Sequence, residues 1–198
     1  MEPHILLALT GFAFATTWTP GPNNMMLAAS GATFGWRMTV PHALGVGLGF
    51  PVMVFLIALG LGEVFQRSQF LQTALRWGGF AVMMYLAWRI ANAGAATARS
   101  RARPLRFHEA AAFQWVNPKA WVMAIGVSAT YARGDDPIAD AAIIAAAFVI
   151  AGTASSQTWA VFGAGIGRAL GTGSRLRAFN VTMGLLLAAC ALWLVLDG

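Results

Sequence analysis

Two apolar stretches of this chain are each broken by proline near the point where the middle of a membrane-spanning helix would fall. The first break is Pro20-Gly21-Pro22-Asn23-Asn24, and the second is Asn117-Pro118-Lys119. A proline brings no N–H of its own and collides with the carbonyl four residues back. In hydrocarbon the freed backbone groups cost on the order of several kcal/mol each when unpaired. Such breaks are tolerated where the freed backbone lines a polar cavity. A matched pair in the two halves of one chain points to a transport site.

The rest of the chain fits a bilayer. Of its 198 residues 58% are hydrophobic and only 10% charged, against about 25% charged in a soluble domain. This makes an all-α integral membrane protein the expected fold class. Apolar segments fall at about residues 5–33, 39–62, 70–91, 110–131, 138–165 and 178–196. They are read as six transmembrane helices with short loops, one transporter domain over residues 1–198. The first segment would be about 43 Å long as an unbroken helix, beyond the roughly 30 Å core of a bilayer, and the Pro20–Pro22 break absorbs the excess. The start, Met1-Glu2-Pro3-His4, has no positive signal-peptide region, so this segment is expected to be a retained span.

A net charge of +6 raises the question of nucleic acid, but the basic residues lie between apolar segments, as loop charges do. One face of the membrane receives Arg37, Arg89, Arg99, Arg101, Arg103, Arg106, Arg168, Arg175 and Arg177 with the single acid Glu109. The other receives Glu2, Glu63, Asp135, Asp136, Asp140 and Asp197 against Arg67, Arg76 and Arg133. The Arg-rich face is therefore cytoplasmic, and both termini are expected outside. A basic cytoplasmic linker at 93–106 divides the chain into halves of about 1–92 and 107–198. With three spans per half, the second half enters the membrane inverted. The proline breaks then occupy the equivalent helices 1 and 4 of a 3+3 inverted repeat. Gly45, Gly47, Gly49, Gly163, Gly165 and Gly167 suit close helix packing.

The breaks carry complementary chemistry. Pro20 frees the carbonyl of Thr16, Pro22 that of Trp18, and Pro118 that of Gln114, acceptors suited to an ammonium. Gly21 or Asn117 as N-cap, followed by Pro22 or Pro118 in the first turn, reads as the start of a new half-helix. Its N-terminal amides are suited to a carboxylate. Lys119 is costly at this depth, and a substrate carboxylate is its simplest counter-charge; snorkelling, or capping the carbonyls of a structural kink, are its other readings. Asn23, Asn24, Asn117, Gln114 and Gln157 are amides able to orient a ligand. Thr153 and Ser156 share a face with Gln157, although such hydroxyls also bond to their own helix. Trp18, Trp115 and Trp159 either shape the cavity or pack in bulk. His4, His42 and His108 have no ligand spacing, Cys190 is alone, and no phosphate loop or nucleophile motif occurs, so no metal, cofactor or enzymatic activity is expected.

These residues resemble the lysine exporter superfamily, the homoserine/threonine resistance family of bacterial amino-acid exporters. Thr19-Pro20-Gly21-Pro22-Asn23-Asn24 is similar to its N-terminal signature. The match continues through residues 30–37, 45–50, 77–89 and Phe113-Gln114-Trp115-Val116-Asn117-Pro118-Lys119. The Asn23-Asn24 pair and residues 30–34 are most similar to the cysteine/O-acetylserine exporter branch. The resemblance implies an inner-membrane exporter of amino acids driven by the proton gradient. One departure stands out: many members carry an acid in span two where this chain has Phe50-Pro51.

The expectation is thus a multi-pass exporter of the bacterial inner membrane, working by alternating access, with the lipid bilayer, a small or medium neutral amino acid and the coupling proton as its partners. Its expected substrate-binding residues are Thr16, Trp18, Pro20, Gly21, Pro22, Asn23, Asn24, Gln114, Asn117, Pro118, Lys119 and Gln157. A passive channel for small zwitterions is the alternative, since broken half-helices also build pores. The sequence leaves open whether the chain forms a homo-oligomer.

Overall fold

The computed structural model describes residues 1–93 and 103–196, and every described element is helical. The expected loop charges Arg99, Arg101 and Asp197, and most of the 93–106 linker, lie outside the described residues. Helix α1 (Pro3–Trp18) and α2 (Pro22–Phe34) are the two pieces of the first apolar segment. Helix α3 (Trp36–Leu56) leads through a π-helical turn, Ile57–Leu61, into α4 (Gly62–Arg67), and α5 (Gln69–Asn92) follows. The second half holds α6 (Phe107–Phe113), a 3₁₀ turn at Gln114–Val116, α7 (Pro118–Tyr131), α8 (Pro137–Leu170) and α9 (Ser174–Leu196).

The breaks form as proline chemistry requires. Gly21 caps α2 in extended conformation with Pro22 at the first helical position, and Asn117 does the same for α7 ahead of Pro118. Among the described residues three helical stretches are each long and apolar enough to cross a membrane: Trp36–Arg67, which includes the π-helical turn, Pro137–Leu170 and Ser174–Leu196. The first and fourth apolar segments are divided, so neither offers one long helix.

The surface is that of a protein facing hydrocarbon. Phe70 and Leu7 are 79% and 76% exposed, while Gln114, Asn180 and Asn117 are buried. A soluble fold shows the opposite sorting. Helix α8 packs against α1, α2 and α3, and α5 pairs with α9. One apolar cluster joins Leu9 of α1, Met53 of α3, Val127 of α7 and Phe148 of α8. A second joins Met26 of α2, Met83 of α5, Phe113 of α6 and Leu187 of α9.

Small residues set the helix spacing. A Cβ on Gly163 would strike the Ala28 carbonyl of α2, and one on Gly31 would strike that of Ala160. The α2 and α8 backbones are therefore in near contact. Gly45, Gly47, Gly49 and Gly167 also meet neighbouring helices, whereas Gly165 meets nothing within 4 Å. At the start of α6, Glu109 accepts from the Arg106 amide at 2.7 Å and from Arg103 at 2.6 and 2.7 Å. The Arg103 hydrogen bonds, with the Arg106 amide, hold its carboxyl down to about 2. This tether is present above the ordinary carboxylate range and is lost as pH falls through that value.

Candidate functional site

Both proline breaks open onto one cleft. Its wall carries Thr16, Thr17, Gly21, Asn23 and Asn24 from the first break and Asn117 and Lys119 from the second. Helix α3 adds Val46 and Phe50, α7 adds Ala120 and Met123, and α8 adds Gly152, Ser155 and Ser156. The cleft is open at its mouth and, counted with that opening, holds about 450 Å3 of empty space. Two interruptions separated by nearly a hundred positions thus face each other.

Lys119 bridges them. Its Nζ donates to the Thr19 carbonyl at 2.8 Å, and a Cβ on Gly21 would lie 2.9 Å from its Cδ. The absent side chain of Gly21 gives the lysine stem its path across the first break. The carbonyls that meet side chains at this break are those of Thr17 and Thr19. Asn24 Nδ2 donates to both, at 2.9 and 3.0 Å, and Ser155 Oγ donates to Thr17 at 2.8 Å. At the second break the Gln114 carbonyl accepts the Asn117 amide at 3.3 Å.

The two helix starts are not equivalent. On α7, Asn117 Oδ1 accepts from the Lys119 amide at 3.1 Å, and the Asn117 carbonyl takes the Ala120 and Trp121 amides at 3.0 and 3.3 Å. Its first turn is thus satisfied internally. On α2 no side chain caps the turn, and the Asn23 and Asn24 amides meet no acceptor among the described residues. Donors suited to an anion remain at α2, while the second break contributes the ammonium of Lys119.

Gln114 stands behind the wall. Fully buried, it exchanges bonds of 2.8 and 3.3 Å with the Asn23 amide and donates to the Ala110 carbonyl at 2.8 Å. It therefore fixes the orientation of Asn23 rather than facing the space. Pro20 and Pro22 lie off the wall. So does Pro118, which borders a surface depression beside Arg76 and Trp121. Trp18 is 41% exposed. Gln157 is turned away, accepting from Trp36 Nε1 at 3.0 Å. Trp115 packs edge-on to Trp121 and Trp159 edge-on to Phe162, both in bulk contacts.

Thr17 and Ser155 belong to the wall without having been expected there. The signal for Ser155 was present as the Ser155-Ser156 pair in an otherwise apolar helix. Among the wall residues Lys119 is the sole charged group. Phe50, at the position where the family resemblance leads one to look for an acid, packs edge-on against Phe148 at 5.2 Å.

The model of the LysE type translocator family matches residues 4–198. The chain belongs to this family. It is thus a membrane translocator and not an enzyme. Among curated proteins, the cysteine/O-acetylserine efflux protein of Salmonella typhimurium (strain LT2) is 30% identical over 195 residues, covering 96% of this chain and 97% of the relative. The cysteine/O-acetylserine efflux protein of Escherichia coli (strain K12) is 27% identical with the same coverage. No solved structure matches. The motifs of both breaks lie inside the matched region.

Proposed function

We propose that this translocator exports a small neutral amino acid of the cysteine or O-acetylserine type across the bacterial inner membrane, by alternating access around the cleft. The convergence of both proline breaks on one polar space, with Lys119 reaching across, carries the reading. The substrate carboxylate binds the free Asn23 and Asn24 amides at the start of α2 and draws Lys119 Nζ from the Thr19 carbonyl. The substrate ammonium takes carbonyls of the α1 end, with Asn117 and Asn24 fixing its orientation. The cleft holds one cation and no carboxylate, so a second positive charge on the substrate is disfavoured. This favours neutral amino acids over dibasic ones. The substrates named for the relatives agree with that preference.

In the same reading the divided helices α1/α2 and α6/α7 are spans one and four of six. Helices α3, α5, α8 and α9 are the remaining spans of a 3+3 inverted repeat, with both termini periplasmic. The pairing of α3 with α8 and of α5 with α9 supports it, because a two-fold axis relating the halves brings equivalent spans together. The proton gradient drives export.

Purified protein in vesicles loaded with a panel of amino acids tests the proposal. Release of O-acetylserine or cysteine against its own gradient, faster with an imposed pH gradient, is the expected result. Release only down the gradient, indifferent to pH, would make the protein a passive channel.

A further inference from the structure

The candidate site takes Asn23 and Asn24 from α2 and Val46 and Phe50 from α3. A second cleft, with about 490 Å3 of empty space, is bounded by α2, α3, α5 and the segment before α6. It lies among the arginines of the face assigned to the cytoplasm. His42 on its wall is 1% exposed, and neither ring nitrogen has a hydrogen-bond partner among the described residues. Buried side-chain nitrogens are nearly always paired. The His42 ring thus lines the cleft with both nitrogens buried and unpaired, a polar group still without a partner among the described residues.

A cation completes the pair. Arg103 is neutralised by Glu109, but Arg89 has no carboxylate partner among the described residues. Its Nη2 reaches only the Arg103 carbonyl at 3.3 Å, and its guanidinium carbon lies 5.7 Å from the Tyr85 ring. Of the hydroxyls on the wall, Ser30 bonds to Thr39 at 3.0 Å and Thr33 accepts from Asn180 Nδ2 at 2.9 Å. Helix α2 supplies no charged group to the cleft, and the Asp140 and Arg168 of α8 stand at the two ends of that helix.

The two clefts are neighbours along α2 and α3. Helix α2 gives Met26 to this cleft and Asn23, one turn earlier, to the candidate site. Helix α3 gives His42 here and Val46, one turn later, there.

We propose that this second cleft is an intake site, where a zwitterionic amino acid is held by Arg89 and His42 before passing to the candidate site. The forked guanidinium suits the carboxylate, and the acceptor nitrogen of a neutral imidazole suits the ammonium. The inference rests on the reading of the protein as an amino-acid exporter.

Everted inner-membrane vesicles expose the cytoplasmic face, so uptake of radiolabelled O-acetyl-L-serine reads intake directly. Arg89→Gln and His42→Leu are each expected to raise KM about tenfold with kcat within about twofold. His42→Gln, which restores a hydrogen-bonding group, keeps most of the affinity. The methyl ester of O-acetyl-L-serine, lacking the carboxylate, should compete equally well against wild type and Arg89→Gln. Arg89 is partly exposed, so its variant decides the matter should His42→Leu fail to fold. Unchanged KM in Arg89→Gln, with active wild-type vesicles, overturns the intake site alone. No uptake by wild-type vesicles overturns the export reading and the intake site together.

Discussion

At the scale of single residues, the site turns on a lysine whose charge has no acidic partner in the cleft. Lys119 is held by a backbone carbonyl of the opposite break, an arrangement that leaves its charge available to a carboxylate. Lys119→Ala is therefore expected to lower kcat/KM for export by at least about tenfold while the protein still inserts and accumulates, as transport assays normalised to membrane protein would read. Normal efflux by a well-expressed variant would remove the lysine from the site. Behind it, the reciprocal bonds between Asn23 and Gln114 predict non-additivity. A double-mutant cycle with Asn23→Ala and Gln114→Ala should give a coupling of about 0.5–3 kcal/mol in unfolding or substrate binding. Additive effects would mean that the pair does not act together.

Between elements, the contact of α2 with α8 leaves no room for a side chain. A Cβ at Gly163 or Gly31 meets backbone rather than a flexible side-chain end, so the helices themselves must separate. Gly163→Val is expected to destabilise the detergent-solubilised protein by several degrees in Tm, with transport falling in parallel. Gly165→Ala, in open space, should leave both unchanged and serves as the control. Because α2 carries Asn23 and Asn24 on one face and packs on α8 with another, a shift at this seam also misplaces the turn proposed to bind the substrate carboxylate.

For the whole molecule, the proposed orientation rests on where the arginines gather. Reporter fusions after residue 196 should be active on the periplasmic side and fusions within the 93–106 linker on the cytoplasmic side. The opposite pattern would invert the assignment of the intake cleft to the cytoplasm. Such topology also tests the inverted repeat, since an odd number of spans per half is what places the two breaks in opposite senses.

Membrane class, the two helix interruptions and their caps were legible in the residues, because proline and hydropathy act locally and need no partner to take effect. Family membership was legible for the same reason, through motifs laid along the chain. Which carbonyls and side chains share the cleft was decided only by packing. Helical periodicity places Ser156 and Gln157 about 100° apart around one axis, but it does not say which of them turns toward α1. The close approach of α8 to α2 and α3 sets that rotation. It puts Ser155 and Ser156 on the wall and sends Gln157 to Trp36, and it gives the Thr17 and Thr19 carbonyls, rather than those of Thr16 and Trp18, to the neighbouring side chains.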